Sequence, residues 1–186
     1  AGTFDTNTSG TYATAGTIVV ENATFTGNTY ANHVHGSNAR ITIVNGTFTN
    51  NQYGMYLQSG QGFSGIKDTV VGVTPNIVGT VSGIKVDTGA ILHFYDGTIQ
   101  GIESAIVGYA SYVEDGYKVK SETVDGLYTD TLALAGTVQT VARVDDIEFS
   151  SVQAAINSCI GDTAKTVTLL NTVNITESLK IDSDLK

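Results

Sequence analysis

A repeat of about 23 residues constrains the fold of this chain more than any other feature of its sequence. Four segments align, at residues 17–26, 40–49, 63–72 and 91–100. Each has an asparagine or aspartate at the same position, at spacings of 23, 23 and 28 residues: Asn22, Asn45, Asp68 and Asp96. A unit this short cannot bury a hydrophobic face alone, so the repeats must stack on one another.

Apolar residues recur at fixed distances from this Asn or Asp. Two positions before it stand Val20, Ile43, Ile66 and Phe94, and three positions after it stand Phe25, Phe48, Val71 and Ile99. The residues between them are mostly polar or small, and an alternation of period two predicts half-buried β-strands. We therefore expect two inward-facing core stacks, joined at a corner where Asn and Asp tolerate a left-handed backbone.

A strand, a turn and another strand in every repeat predict an all-β fold, a parallel β-helix (solenoid) of about four to five coils over residues 1–112. At one corner of the coils, the four Asn and Asp side chains of the repeat are expected to form a structural ladder. The third coil is longer than the others, and its extra segment, residues 73–79, is expected to bulge as a loop.

Residues 113–149 break the repeat. Asp125-Gly126 and Asp145-Asp146 each separate β-prone stretches, which predicts two β-hairpins that act as a linker or cap. Residues 150–160 combine an N-terminal serine with apolar residues at helical spacing, which predicts one helix that ends at Gly161. The strands expected at 166–170 and 173–175 would open a further β-helix block, so a third region spans residues 150–186.

Charge and cysteine content exclude several classes of function. Eighteen acidic residues against nine basic ones give a net charge of −9, and the densest basic spot is only Lys118 and Lys120. Nucleic-acid binding and docking on an anionic membrane both need a basic surface, so we expect neither. The single cysteine, Cys159, rules out an intrachain disulfide, and no apolar run is long enough for a membrane span.

The block at residues 141–156 resembles a known family. Its sequence, VARVDDIEFSSVQAAI, resembles the linker that opens each repeat in large secreted surface proteins of Firmicutes. As in those proteins, a TVTLL strand follows, and residues 92–99 (LHFYDGTI) and 105–108 (AIVG) are similar to late coils of their β-helices. The resemblance implies a right-handed parallel β-helix of pectate-lyase-like topology and an extracellular, cell-surface location. It carries no catalytic residues.

Two pairs of side chains are candidates for a metal site. His33 and His35 flank Val34, so both imidazoles would point outward if Val34 is buried. Asp68 and Asp96 could hold a hard cation through carboxylate oxygens. Each pair falls short of the three or four ligands that a metal ion needs, so an exposed or structural role is the simpler interpretation. We expect no cofactor.

Catalysis is not expected. Glycan-cleaving β-helices need clustered carboxylates on one sheet, whereas the acids here are dispersed. Tyrosines could instead line a glycan groove, because sugars stack on aromatic faces. The candidates are Tyr53, Tyr56, Tyr95, Tyr109, Tyr112, Tyr117 and Tyr128. A tyrosine groove with paired acids on one sheet would favour glycan binding or cleavage, and a smooth Thr and Asn surface would favour a structural role.

We therefore expect a non-enzymatic extracellular structural protein: a surface stalk, an adhesin-like segment or a head-to-tail fibre subunit. The alternative is a glycan-binding or glycan-cleaving module. The first coil has no obvious cap, and residues 179–182 resemble a strand without a partner. Because open solenoid edges need a cap, we expect either a longer chain or end-to-end self-association, in which residues 166–186 complete the next subunit's coil near residues 1–20.

Overall fold

The chain winds into a parallel β-solenoid of about five turns in this computed structural model. The structure describes residues 2–160, 165–175 and 178–181. Strands account for 51% of the chain and helix for 5%, so the predicted all-β solenoid is confirmed. In chain order, the solenoid strands are β1 (Thr3–Asp5), β2 (Ser9–Ala13), β3 (Gly16–Val20), β4 (Ala23–Thr26), β5 (Tyr30–Val34), β6 (Ala39–Ile43), β7 (Gly46–Thr49), β8 (Tyr53–Leu57), β9 (Gln61–Ser64), β10 (Asn76–Gly79), β11 (Ser82–Val86), β12 (Ile91–Phe94), β13 (Thr98–Gly101), β14 (Ser104–Val107) and β15 (Tyr112–Val113).

Each coil adds one strand to each of three faces. Sheet 1 contains β1, β4 and β7, and β10 and β13 continue the same face after an insertion. Sheet 2 has the order β2-β5-β8-β11-β14, and sheet 3 has the order β3-β6-β9-β12-β15. All of these strand pairs are parallel and in register, so a residue in one coil lies directly over its equivalent in the next.

Two inward stacks fill the space between the sheets. In sheet 1, the ring of Phe25 stacks on Phe4 and Phe48, at centroid distances of 5.0 and 5.3 Å. In sheet 3, Val20 pairs with Ile43, and both are buried. These residues exclude water along the axis, so each coil buries its apolar face against its neighbours.

The third repeat departs from the predicted alignment. Ser64 is the register partner of both Ile43 and Phe94. Ile66 is 48% exposed, so its assignment to the core stack was wrong. The chain turns away from sheet 3 immediately after Ser64, because Gly65 adopts a positive φ of 80°. Gly65 also lies against the backbone of Asp96 so closely that a side chain would clash there.

The extra segment of the third coil also lies elsewhere than predicted. The loop spans residues 65–75, whereas Asn76–Gly79 forms β10. Ile77, which is fully buried and pairs with Ile99, takes the inward position that was predicted for Val71. Val71 lies in the loop and is half-buried. The prediction was wrong because Val71 is an apolar residue at the spacing that the repeat requires, although it lies in the loop.

The predicted corner ladder exists for two of its four members. Asn45 Nδ2 donates to Asn22 Oδ1 at 3.1 Å. Asp96 lies at the equivalent corner, but its carboxylate accepts from the backbone N–H of Gly72 at 2.6 Å. Asp68 lies in the loop, with a φ of 61°, so its place in the ladder was wrong.

A second, buried asparagine ladder was not predicted. Asn51 Oδ1 accepts from the backbone N–H and from Nδ2 of Asn28, at 3.1 and 2.8 Å. Asn28 Oδ1 in turn accepts from Asn7 N, and the two amide groups donate to the carbonyls of Phe4 and Phe25. Both asparagines are essentially inaccessible, so these bonds satisfy backbone groups that would otherwise be buried unpaired.

Beyond the last coil, both predicted hairpins are confirmed. β16 (Tyr117–Val124) and β17 (Leu127–Leu134) pair antiparallel across Asp125-Gly126, where both residues have positive φ. β17 also pairs antiparallel with β13 and so covers the end of sheet 1. β18 (Ala142–Val144) and β19 (Ile147–Phe149) form the second hairpin.

A short helix follows the second hairpin. α1 (Val152–Asn157) begins at the predicted serine cap, where Ser151 Oγ accepts from Ala154 N. β20 (Val167–Leu169) pairs antiparallel with β18 and completes a three-stranded sheet. The described part of the third predicted region, residues 150–186, therefore contains no parallel strand pair that would start a coil. A further β-helix block stays a prediction. Residues 178–181 form no strand, and Gly161 lies outside the described residues.

An acid extends the apolar stack of sheet 1 by one rung. Asp130 on β17 lies directly opposite Ile99, which pairs with Ile77. The side chain of Asp130 is 6% exposed. Burial raises its pKa from 3.8 to about 7, and a hydrogen bond with Ser121 offsets this only in part.

The corrected register predicts opposite outcomes for Ile43 and Ile66, which the sequence alignment had placed in one column. Ile43→Asp would place a charge in the core and should cost more than about 4 kcal/mol, enough to unfold the solenoid. Ile66→Asp, on the loop, should change the free energy of unfolding by less than about 0.5 kcal/mol. Urea denaturation followed by circular dichroism measures both, and a stably folded Ile43→Asp variant would contradict the register.

Asp130 should make the stability of the fold pH-dependent. The folded state holds the Asp130 proton more tightly than the unfolded chain, so the free energy of unfolding should fall as the pH rises from about 4 to about 7. Asp130→Asn should remove up to about 4 kcal/mol of this decrease. The exposed Asp125→Asn on the same hairpin is the matched control. Identical pH profiles for Asp130→Asn and the wild type would contradict the burial of the charge.

Candidate functional site

An aromatic and imidazole surface covers the outer side of sheet 2. We call it the Tyr–His face, and its members are Tyr12, Tyr30, His33, His35, Tyr53 and Tyr56. Tyr12 pairs with His33 and His33 with Tyr56, while Tyr30 pairs with Tyr53. Because adjacent strands lie about 4.8 Å apart, in-register pairing brings rings from three consecutive coils into contact.

The rings of the Tyr–His face pack against one another. The centroid of Tyr56 lies 4.9 Å from His33 and 4.8 Å from Tyr30. Tyr12 contacts the rings of both histidines, at 4.9 Å for His33 and 5.8 Å for His35. Tyr12 is also 51% exposed, so the cluster presents a ring to solvent at one end.

Gln58 connects the two histidines. Its Oε1 lies 3.2 Å from His33 Nε2 and 2.7 Å from His35 Nδ1. A carbonyl oxygen only accepts, so both imidazoles donate to it. His33 Nδ1 is then the acceptor for the Ser9 hydroxyl, at 3.4 Å. Burial lowers the pKa of His33 and outweighs the hydrogen bond to Gln58, which raises it.

A hydroxyl, an acid and a base border the face. Tyr56 donates its hydroxyl proton to Asp87 Oδ2 at 2.5 Å. Lys85 Nζ lies 3.9 Å from Asp87 Oδ1 and 5.2 Å from the centroid of the Tyr56 ring. Burial, together with the bond to Asp87, raises the pKa of Tyr56, so its hydroxyl keeps its proton at neutral pH. The edge therefore offers both donors and acceptors.

Sheet 3 has a smaller aromatic column on its outer side. His93 is stacked between Phe63 and Tyr112, at centroid distances of 4.3 and 4.7 Å. Its Nδ1 lies 2.9 Å from the Tyr95 hydroxyl, and its buried Nε2 has no hydrogen-bond partner among the described residues. Burial, and to a lesser extent Arg40, lowers the pKa of His93. Among the described residues, this aromatic column therefore makes fewer side-chain hydrogen bonds than the Tyr–His face.

The two predicted metal pairs have different surroundings. Val34 is fully buried, and His33 and His35 lie together on the outer face, with ring centroids 5.9 Å apart. Asp68 is exposed in the loop, whereas Asp96 is buried and bonded to backbone N–H groups, so they share no column. Within the described part of the chain, no three His, Cys, Asp or Glu side chains are grouped so that they could hold a metal ion.

The predicted tyrosine groove is divided among three places. Tyr53 and Tyr56 lie on the Tyr–His face, Tyr95 and Tyr112 belong to sheet 3, and the last three lie near the cap: Tyr109, Tyr117 and Tyr128. Sequence reasoning missed the contribution of Tyr12 and Tyr30. The repeat itself contained the signal, because Tyr30 and Tyr53 are 23 residues apart, as are His33 and Tyr56.

Comparison with known proteins identifies no relative of this chain. No family model, no curated protein and no solved structure matches it. The resemblance to Firmicute surface proteins therefore stays a prediction. In the described residues, no helix has the length and apolar character needed to cross a membrane.

The hydrogen bond to Gln58 gives a test of the geometry of the face. Gln58→Ala removes the acceptor that favours protonated His33, so the pKa of His33 should fall further below its ordinary value. Titration of the histidine side chains by NMR measures this shift, with Gln61→Ala on sheet 3 as the control. An unchanged or higher pKa of His33 in Gln58→Ala would contradict the contact.

Proposed function

We propose that this chain is a non-enzymatic, adhesin-like solenoid module that binds a glycan on its Tyr–His face. The observation that carries the proposal is the gathering of four tyrosine and two histidine rings on one outer sheet. Polar groups of Gln58, Lys85 and Asp87 surround these rings. Extracellular, cell-surface placement is part of the same proposal.

The chemistry of the face fits a sugar chain. Sugars present apolar C–H patches that pack on aromatic rings, and hydroxyls that need both donors and acceptors. Tyr12 offers an exposed ring, while Lys85 donates and Asp87 accepts at the border. Because rungs recur about every 4.8 Å, equivalent groups repeat along the axis, which suits an extended polymer more than a compact ligand.

The contacts of Asp87, the acid bonded to the Tyr–His face, support the proposal of binding rather than cleavage. Hydrolysis of a glycosidic bond needs two carboxylates on opposite sides of that bond. Asp87 bonds to Tyr56 and to Lys85, so its carboxylate is already held by a hydroxyl and an ammonium group. An acid held in this way can orient a sugar hydroxyl by accepting a hydrogen bond from it, which is a binding role.

Two equally exposed tyrosines test the proposal. Tyr12 is 51% exposed on the Tyr–His face, and Tyr112 is 54% exposed on sheet 3. Isothermal titration against cello-, chito-, xylo- and manno-oligosaccharides should find a ligand for the wild type. Loss of one aromatic contact should weaken that ligand about tenfold in Tyr12→Ala, whereas Tyr112→Ala should bind like the wild type.

Two results would contradict glycan binding at this face. The first is no saturable binding of any oligosaccharide in the panel, and the second is an equal loss in Tyr12→Ala and Tyr112→Ala. Circular dichroism of both variants checks that each keeps the wild-type fold.

End-to-end self-association, the other partner expected from the sequence, stays a prediction. Electron microscopy of the purified chain over a range of concentrations tests it separately. Fibres with an axial repeat of one subunit would support it, and discrete particles at every concentration would contradict it.

A further inference from the structure

Two cavities lie where the capping hairpin and the C-terminal elements meet the last coil. Their volumes are about 300 and 420 Å³. They share five lining residues from four elements and one loop: Ile106, Ser121, Asp130, Ser150 and Ala154. Asp130 thus borders both cavities at the end of the apolar stack, in a place unrelated to the Tyr–His face.

Asp130 has no basic partner among the described residues. Lys118, which lines the smaller cavity, forms an ion pair with Glu148 at 3.0 Å instead. Glu148 and Asp146 also line the smaller cavity, and both are exposed, while Glu122 lines the larger one. A side-chain hydrogen bond from Ser121 lowers the pKa of Asp130 only in part and brings no charge. A buried carboxylate without a counter-charge is costly, and an incoming cation would remove that cost.

The remaining walls of the smaller cavity are mostly apolar. Val113, Val119 and Ile147 contribute aliphatic surface, and Tyr117 and Phe149 contribute aromatic rings. Aromatic rings attract organic cations through their faces, and aliphatic walls take up an apolar body. A volume of about 300 Å³ lies at the lower end of the range for small-molecule sites.

We propose that the smaller cavity binds a small organic ammonium ion with an apolar body, held by the Asp130 carboxylate. An inorganic cation fits less well, because calcium or magnesium takes six or more oxygen ligands, whereas Asp130 is the buried one of the three carboxylates that line this cavity and Glu148 is already paired with Lys118. A neutral apolar molecule would leave the buried acid unpaired. The charge and the apolar walls together select the ammonium class.

The test compares an amine with its neutral analogue. Isothermal titration at pH 8, where Asp130 is mostly ionised, uses 2-phenylethylamine and 2-phenylethanol with the full chain. The amine should bind saturably with one site per chain, and the alcohol at least about tenfold more weakly. Asp130→Asn should weaken the amine at least about tenfold, whereas Asp125→Asn, which removes an exposed charge from the same hairpin, should leave its affinity unchanged.

Three results would overturn the proposal: no saturable binding of the amine, equal binding of amine and alcohol, or unchanged amine binding in Asp130→Asn. Thermal unfolding checks that both variants fold. If Asp130→Asn fails to fold, the carbon-13 shift of the wild-type Asp130 carboxyl group during the amine titration decides instead. A chemical-shift change that saturates with added amine supports the site, and an unchanged chemical shift contradicts it.

Discussion

Axial stacking of each coil on its neighbour is the interaction on which the rest of this structure depends. No coil buries its own apolar face, so both the backbone hydrogen bonds and the core contacts are made between coils. The same constraint governs the buried polar groups, which must find partners along the axis. Asn28 bonds to Asn51 one coil away, and Ser82 bonds to Ser104 in the same manner at 2.9 Å.

In-register stacking also shapes the outer surface. It aligns outward side chains as strictly as inward ones, so aromatic residues at one position of the repeat become a continuous surface. His33 and Tyr56 meet for this reason, and Phe63 stacks on His93 for the same reason. The proposed glycan site is thus a direct consequence of the repeat. The proposed ammonium site instead lies where the repeat ends and Asp130 of the capping hairpin pairs with Ile99 of the last coil.

The sequence was sufficient to predict the solenoid because period-two alternation and a constant spacing report burial directly. It was misleading in the third coil, because Ile66 and Val71 have the spacing of core residues although both lie in the loop and Ile66 is 48% exposed. The sequence also does not indicate which hydrogen-bond partner a single polar residue will have. An asparagine at a corner looks the same in sequence whether it is exposed, as at Asn45, or buried, as at Asn51. Asp130 gave no signal, because its burial depends on a hairpin packed over the last coil.

The register of the coils is tested most directly by NOE contacts between isoleucine methyl groups. Partners in adjacent coils lie about 4.8 Å apart, well within range of the measurement. We expect cross-peaks between Ile18 and Ile41 and between Ile77 and Ile99. Absence of both cross-peaks would contradict the stacking described here.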